Sequence, residues 1–205
     1  MVMIELKNVC KKFGDHVIFE KYNLEIDDGE FIVLSGDSGC GKTTLLNIIG
    51  GLEKPDDGKV LVNGLDVYNK KNQLELYRHV YGFLFQNFGL IENKTVRENL
   101  SIFKKNALSG VTIEEALSYV GLSGKSDSVV YELSGGEQQR IALARLLIKK
   151  CSIILADEPT GSLDKNNAET VLSLLDGLNR DGKTIVLVTH DEKIKQSGRK
   201  VIGIK

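Results

Sequence analysis

A glycine-rich stretch that ends in lysine and threonine carries the clearest chemistry in this sequence. It runs from Gly36 to Thr44, with the glycine, lysine and threonine spacing of a phosphate-binding loop. Glycines let backbone N–H groups turn inward toward phosphate oxygens, and a helix start adds partial positive charge there. Lys42 can reach the β- and γ-phosphates, while the Thr43 hydroxyl can ligate Mg²⁺. We therefore predict a nucleotide site formed by Ser38, Gly39, Cys40, Gly41, Lys42, Thr43 and Thr44.

An acidic pair that follows an apolar run forms the second candidate element. Asp157 and Glu158 come directly after the apolar residues 153–156, which predict a buried strand. Because α/β sheets bind ligands beyond the carboxyl ends of their strands, Asp157 is predicted to hold Mg²⁺ beside the phosphates. Glu158 can accept a proton from the water that attacks the γ-phosphate, or orient that water. A solvated strand end is the alternative, and the phosphate loop makes it the weaker one.

A second set of small residues precedes a predicted helix. Ser134, Gly135 and Gly136 lie between Leu133 and the run Glu-Gln-Gln-Arg, and a helix N-terminus of this kind binds anions. One nucleotide needs a single phosphate cradle, which the first loop already supplies. The second cradle therefore suggests that two chains share each nucleotide.

These motifs together resemble those of a known family. Leu-Ser-Gly-Gly before Glu-Gln-Gln-Arg is similar to the signature motif of ATP-binding cassette (ABC) ATPases, although Glu137 stands where glutamine is commoner. The resemblance covers nearly the whole chain and includes the phosphate loop and the acidic pair in the family's order. Other positions match its adenine-stacking aromatic residue, Q-loop, D-loop and switch histidine, namely Phe13, Gln86, Ser162-Leu163-Asp164 and His190.

The resemblance implies an ATPase whose two copies close head to tail around two ATP molecules. Ser134, Gly135 and Gly136 of one copy would cap the γ-phosphate held by the phosphate loop of the other. Asp164 would lie across the dimer interface, and Phe13 would stack on adenine. Taken alone, Phe13 would more often be a core residue.

The resemblance also implies the catalytic set. Glu158 would be the general base, and His190 would contact the γ-phosphate. Gln86 would sense Mg²⁺ and the attacking water. The implied metal ligands are Thr43, Gln86 and Asp157. Taken alone, Gln86 would be a polar strand end and His190 a surface histidine.

Buried strands alternate with helices along the chain, and this order predicts an α/β fold. We expect a phosphate-loop NTPase core with a mostly parallel sheet and an antiparallel β subdomain at the N-terminus. Buried apolar runs and turn residues predict strands at 4–9, 31–35, 59–63, 80–85, 152–156, 184–188 and 200–204. A turn at 11–15 and a hairpin of 17–19 with 22–26 complete the β subdomain. Helices are predicted at 44–49, 73–77, 95–103, 112–120, 137–150 and 165–179.

We expect one ABC ATPase domain over 1–205, with a small helical lobe inserted at about 87–135. Thr112-Ile113-Glu114-Glu115 fits a capping box at the start of one lobe helix. The helix at 137–150 places Ile141, Ala144, Leu147 and Ile148 on one apolar face, with Lys149-Lys150 complementing its C-terminal dipole.

Net charge, the lengths of apolar runs and the number of cysteines limit the class of protein further. The chain has 205 residues, 41% hydrophobic, and a formal net charge of −1, so it lacks the basic field of a nucleic-acid-binding protein. No apolar run spans a bilayer, and the N-terminus lacks the pattern of a signal peptide. We expect a cytoplasmic protein with Cys10, Cys40 and Cys151 reduced. Oxidation of Cys40 would block nucleotide binding. The alternative is that Cys40 has no redox role and is a small residue that fills the loop.

The stretch from Ile154 to Asp164 is similar to the ABC subgroup that serves macrolide export, lipoprotein release and bacterial division, of MacB, LolD and FtsE type. The resemblance implies an integral membrane permease of MacB/FtsX type as partner, with the chain peripheral on the inner face of the cell membrane. It implies export or efflux of a peptide, lipoprotein or drug-like cargo. The compact chain also resembles cassettes linked to bacteriocin export of the lactococcin type.

Two other classes of function remain as alternatives. One is an FtsE-like module whose ATP cycle regulates an extracytoplasmic process without transport. The other is a soluble ABC protein that acts on DNA or ribosomes, which usually carries a coiled-coil insertion or a second cassette. We predict that the permease docks beside the Gln86 loop, where Phe88, Leu90 and Ile91 follow. Phe88 is the preferred candidate for a partly exposed contact, and Leu90 and Ile91 have interior packing as their alternative.

Overall fold

The computed structural model describes residues 1–161, 163–195 and 199–204, without the side chains of 192 and 193. The strands described are β1 Val2–Phe13, β2 His16–Asp27, β3 Phe31–Ser35, β4 Asp57–Val62, β5 Leu65–Asp66, β6 Tyr81–Leu84, β7 Ile153–Asp157, β8 Thr184–Val188 and β9 Lys200–Gly203. The α-helices described are α1 Lys42–Ile49, α2 Lys70–His79, α3 Val96–Leu100, α4 Ile113–Tyr119, α5 Gly135–Ile148, α6 Lys165–Arg180 and α7 Glu192–Lys195.

A five-stranded parallel sheet of order β6-β7-β8-β3-β9 forms the centre of the fold. The central strands β7, β8 and β3 are apolar and almost wholly buried, and every residue of β8 is buried, as expected for strands covered on both faces. Because the strands are parallel, the phosphate loop after β3, the acidic pair of β7 and the histidine after β8 reach the same edge. The predicted parallel core is confirmed.

The N-terminal sheet is antiparallel, in the order β2-β1-β4-β5, which confirms the predicted β subdomain. Two details of the prediction were wrong. β1 continues through Lys11 to Phe13, so the turn covers only Gly14-Asp15. The expected hairpin of 17–19 with 22–26 is one strand, β2, because both segments pair with β1. The strand passes through a register shift near Lys21, whose φ is 49°.

Three phenol groups hold the C-terminal end of α1, the helix that follows the phosphate loop. The hydroxyls of Tyr68, Tyr77 and Tyr81 donate to the carbonyl oxygens of Ile48 (2.6 Å), Gly51 (2.9 Å) and Ile49 (2.6 Å), respectively. The last carbonyls of a helix have no N–H partner within it, although that of Ile48 also accepts from the Gly51 N–H over 3.2 Å, and the last turn of α1 contains no basic residue. Burial raises the pKa of Tyr81. The phosphate-loop helix is thus fixed at its far end.

The segment between β6 and α5 contains α3, α4 and 3₁₀ turns at Lys105–Ala107 and Val130–Glu132. The predicted capping box at Thr112 is present with Glu115, and Thr95 with Glu98 forms a second one. The predicted helix at 95–103 ends at Leu100, while α2 is longer than predicted. These helices share one apolar cluster with α5 and one face of the sheet. The division into a single domain with an inserted lobe at 87–135 stays a prediction.

The predicted apolar face of α5 is buried at Ile141, Ala144 and Ile148 and partly buried at Leu147, but burial in the second half of the helix extends beyond that face. Residues 141–146 and 148 are all buried, because the helix lies between the lobe and the sheet. Lys149 does not simply complement the helix dipole: its ammonium is buried and donates to the carbonyl oxygen of Tyr81. Within the described part of the chain, no helix is long and apolar enough to cross a membrane.

Candidate functional site

The phosphate loop connects β3 to α1 and depends on glycine at two close approaches. A Cβ atom at Gly41, whose φ is 99°, would lie 2.4 Å from Ile18 Cγ2, and one at Gly36 would lie 2.4 Å from the carbonyl oxygen of Ile204. The Lys42 ammonium donates to the carbonyl oxygens of Gly36 (2.9 Å) and Asp37 (2.6 Å). Lys42 therefore folds back over its own loop, where phosphate oxygens can replace those carbonyls as its acceptors.

Thr43 and Asp157 meet as the sequence predicted, although they are far apart in the chain. The Thr43 hydroxyl donates to Asp157 Oδ1 over 3.1 Å. Partial burial raises the pKa of Asp157, the bond from Thr43 lowers it, and the nearby Glu158 raises it further. A hydroxyl and a carboxylate oxygen side by side are ligands that suit Mg²⁺. The donor set present therefore fits the predicted metal.

Glu158 and His190 are also brought together. His190 Nδ1 lies 2.9 Å from Glu158 Oε1, so the ring fixes one carboxylate oxygen. The other, Oε2, is buried and lacks a hydrogen-bond partner among the described residues. Glu158 has φ 45°, a left-handed conformation that is strained for a side chain with Cβ. An unpaired buried carboxylate oxygen on a strained residue is typical of a functional site.

The serine and glycine stretch forms the start of α5. Ser134 is the N-cap: its hydroxyl accepts from the Glu137 N–H, and the Glu137 carboxylate accepts from the Ser134 N–H at 2.9 Å. The Ser134 N–H and the Ser134 hydroxyl both donate to the carboxylate and lower the pKa of Glu137. Glu137 thus closes a capping box with Ser134, a pattern visible in the sequence that our prediction missed. Ser134 and Gly135 are exposed.

The structure does not join this helix start to the rest of the predicted site. Among the described residues, no hydrogen bond or ion pair links Ser134, Gly135 or Gly136 to the phosphate loop or to Glu158. Asp164 instead caps α6 and accepts from the N–H groups of Asn166 and Asn167. The D-loop residue Ser162 lies outside the described residues.

Gln86 and Phe13 lie apart from the acidic pair. Gln86 is exposed in the turn after β6, and no hydrogen bond in the described chain links it to Thr43 or Asp157. Phe13 is half exposed, and the buried Lys11 ammonium lies 4.8 Å from its ring centroid. Sequence reasoning missed Lys11, because it placed this residue in a turn at 11–15 and a lysine gives no local sign of burial.

In the segment after Gln86, Phe88 is partly exposed as predicted, whereas Ile91 is more exposed than Phe88. Phe88 is partly buried against the core, and its carbonyl oxygen accepts from Arg145 over 2.9 Å. Ile91 is half exposed, so Phe88 is the weaker docking candidate of the two. A cleft of about 150 Å³ lies beside this segment, lined by Phe83, Phe85, Gly89, Ile102, Phe103 and Arg145, among others.

The fold and the site together define a class of protein. A phosphate loop, an acidic pair and a histidine at one edge of a parallel sheet, with a separate serine and glycine helix start, are the parts of a phosphate-loop ATPase of the cassette type. The model of the ABC transporter family matches residues 19–161. This chain therefore belongs to the ABC transporter family as an ATP-binding ATPase cassette, which confirms the predicted family and fold.

Known relatives agree with this assignment. The macrolide export ATP-binding/permease protein MacB of Campylobacter jejuni is 42% identical over 99% of this chain and 33% of its own length. The uncharacterized ABC transporter ATP-binding protein MJ0796 of Methanocaldococcus jannaschii is 42% identical over 99% of this chain and 93% of its own. A dimeric structure of MJ0796 with ADP and Pi matches with TM-score 0.86 at 39% identity, covering 99% of this chain and 94% of that one. The chain spans about a third of the length of its MacB relatives.

Proposed function

We propose that this chain is the ATP-hydrolysing subunit of a membrane export or efflux system, in which two copies close head to tail around two ATP molecules. The carrying observation is the separation of the two phosphate-binding elements. Thr43 of the phosphate loop meets Asp157 within one chain, whereas no hydrogen bond or ion pair among the described residues joins the exposed Ser134-Gly135 start of α5 to that site. The dimeric structures of a similar cassette support a second copy as the source of that partner.

The chain's own residues account for nucleotide binding. The loop amides and Lys42 bind phosphate oxygens, and Lys42 exchanges two loop carbonyls for them. Ser38, Gly39, Cys40, Gly41, Lys42, Thr43 and Thr44 form this cradle, and Phe13 stacks on the adenine ring. Thr43 and Asp157 would hold Mg²⁺, with Gln86 as a further ligand after the loop moves. When bound, Mg²⁺ supplies the positive charge that neutralises phosphate oxygens.

Glu158 carries the hydrolytic chemistry in this proposal. Its unpaired oxygen Oε2 is free to accept the proton of the attacking water. His190 holds Oε1 and so fixes the direction of Oε2. Ser134, Gly135 and Gly136 of the second copy donate to the γ-phosphate, and Asp164 lies across the interface. Because the base is fixed before ATP arrives, closure of the dimer would supply the missing phosphate contacts and start hydrolysis.

The partner in this proposal is a membrane permease of the kind named with the MacB relatives, and the chain works at the cytoplasmic face beside it. The cleft beside the Gln86 segment is the proposed docking place, because Ile102, which lines it, exposes about half of its surface. Closure would move Gln86 and the cleft together. Nothing in the described chain favours the alternative of an FtsE-like regulator without transport.

The experiment is purification of the chain with its co-encoded permease in detergent. Ile102→Asp should abolish co-purification and transport, because a charge would enter an apolar contact. Leu74→Asp, on the exposed side of α2 and equally accessible, is the matched control and should keep the complex. Both variants should bind ATP. Loss of the complex in Leu74→Asp, or its survival in Ile102→Asp, would place the permease elsewhere.

A further inference from the structure

Gln139 is a fully buried glutamine whose side chain joins two parts of the candidate site. It lies on α5, five residues after the N-cap Ser134, and none of its surface is exposed. Its Nε2 donates to the carbonyl oxygen of Pro159 over 2.8 Å. Pro159 directly follows Glu158. The helix that begins with the serine and glycine stretch is therefore tied to the loop that carries the base.

A second connection runs alongside the first. Arg140 donates to Asn167 Oδ1, and Asn167 Nδ2 donates to the carboxylate of Asp164. A Cβ atom on Gly136 would lie 2.8 Å from Asn167 Nδ2, so the first turn of α5 packs directly on this side chain. The beginning of α5 thus contacts both ends of the segment between Glu158 and α6.

The two residues at the ends of this connection, Gln139 and Glu158, each have a buried oxygen atom that accepts no hydrogen bond from the described residues. Gln139 Oε1 and Glu158 Oε2 are the two buried side-chain polar atoms without a hydrogen-bond partner in the described part of the chain. Buried polar atoms are paired in nearly all native structures, so an exception calls for a functional reason. Both exceptions fall on residues that this connection joins, which indicates an arrangement that changes when a ligand or a second chain arrives.

We propose that Gln139 is a positioning residue that couples the two ATP sites of the dimer. This inference rests on the proposed function, in which Ser134 of a chain meets one ATP while Glu158 of the same chain serves the other. When the start of α5 closes on a nucleotide, the amide of Gln139 moves the Pro159 carbonyl with it. The backbone of Glu158 follows, so the base of one site responds to occupancy of the other.

A purely structural role is the alternative, in which Gln139 only satisfies a buried carbonyl. The adjacent Gln138 provides the matched control. Its Nε2 donates to the carbonyl oxygens of Val130 (3.1 Å) and Leu133 (2.9 Å), which precede the helix and do not belong to the base loop. Replacement of either glutamine by methionine removes one amide of the same kind from the same helix and keeps the side-chain length.

The test compares Gln139→Met and Gln138→Met by steady-state ATP hydrolysis as a function of ATP concentration. The wild-type protein should show a Hill coefficient well above one, toward the limit of about two for two sites. In Gln139→Met the coefficient should fall to about one and kcat should fall roughly tenfold. Equilibrium binding of ATP to the single chain should not change. Gln138→Met should keep the wild-type coefficient even where its melting temperature is lower.

Each failure has its own signature. Folded Gln139→Met with the wild-type coefficient and kcat overturns the coupling role while leaving the proposed function intact. A wild-type protein that hydrolyses ATP as a monomer, without cooperativity, overturns the dimer and the inference with it. If Gln139→Met does not fold, the coupling is tested instead by amide hydrogen exchange in the Glu158→Gln protein, titrated with ATP. Segments 134–140 and 157–161 should gain protection from exchange with the same midpoint in ATP concentration. Different midpoints for the two segments would contradict the coupling.

Discussion

The two phosphate-binding regions of this molecule are built in different ways. The phosphate loop and the acidic pair are joined by a long-range contact, Thr43 to Asp157, which the parallel sheet creates by placing β3, β8 and β7 side by side. The start of α5 is built locally, by a capping box between Ser134 and Glu137. The first region is chemically complete apart from its ligands, whereas the second presents exposed donors. The difference fits the proposal that one chain supplies two halves of different sites.

The strongest test of the first region removes only the basicity of Glu158. Glu158→Gln keeps the shape of the side chain but cannot accept the water's proton, so kcat should fall about hundredfold or more. Phosphate release measures the loss, and size-exclusion chromatography with ATP and Mg²⁺ should show a dimer that persists. Glu169→Gln, on the exposed side of α6, is the control and should hydrolyse normally. Turnover by Glu158→Gln at the wild-type rate would remove Glu158 from the role of base.

The second region is tested by a substitution that keeps the helix cap. Aspartate caps helices as well as serine does, but in Ser134→Asp its charge opposes the γ-phosphate. We expect hydrolysis to fall roughly hundredfold, the scale for loss of a donor to developing charge. Circular dichroism should show the helix content unchanged.

Mixing this variant with a second inactive one separates the two regions. Lys42→Ala has no phosphate-loop lysine but an intact start of α5. A head-to-tail dimer of Lys42→Ala with Ser134→Asp contains one site with both parts intact, so the mixture should regain activity that neither variant has alone. If the mixture stays inactive while both variants still associate with wild-type chains, each ATP is bound within a single chain and the comparison fails.

The smallest effect concerns stability without nucleotide or metal. Partial burial raises the pKa of Asp157, so its charge destabilises the fold at neutral pH, and this penalty fades as the pH falls through the folded-state pKa. Asp157→Asn should raise the melting temperature at neutral pH and lose this advantage in acid. The N–H bonds from Asn167 lower the pKa of Asp164. Asp164→Asn should therefore lower the melting temperature at neutral pH. If the two variants change the melting temperature in the same direction, the opposite pKa shifts of Asp157 and Asp164 are contradicted.

The sequence predicted the parts of the site better than their connections. Spacing alone identified Thr43, Asp157 and Glu158, because a phosphate loop and an acid after a buried strand are local patterns. Their contact requires the strand order, which only the folded sheet supplies. Gln139 and Lys11 were missed, since a polar residue carries no local sign of being buried. The prediction of a hairpin at 17–26 was wrong, because this segment is one strand with an irregularity at Lys21. Lys21 adopts a positive φ, and no glycine or proline marks that irregularity in the sequence.

The tyrosines at the end of α1 also serve as intrinsic fluorescence probes of the phosphate-loop helix. The chain has six tyrosines and no tryptophan, so its ultraviolet emission comes from tyrosine. Tyr68, Tyr77 and Tyr81 all donate to carbonyls at that helix end, and the emission of a phenol depends on its hydrogen bond. A shift of α1 that changes these hydrogen bonds on nucleotide binding should therefore change the intrinsic fluorescence of the chain, without a label.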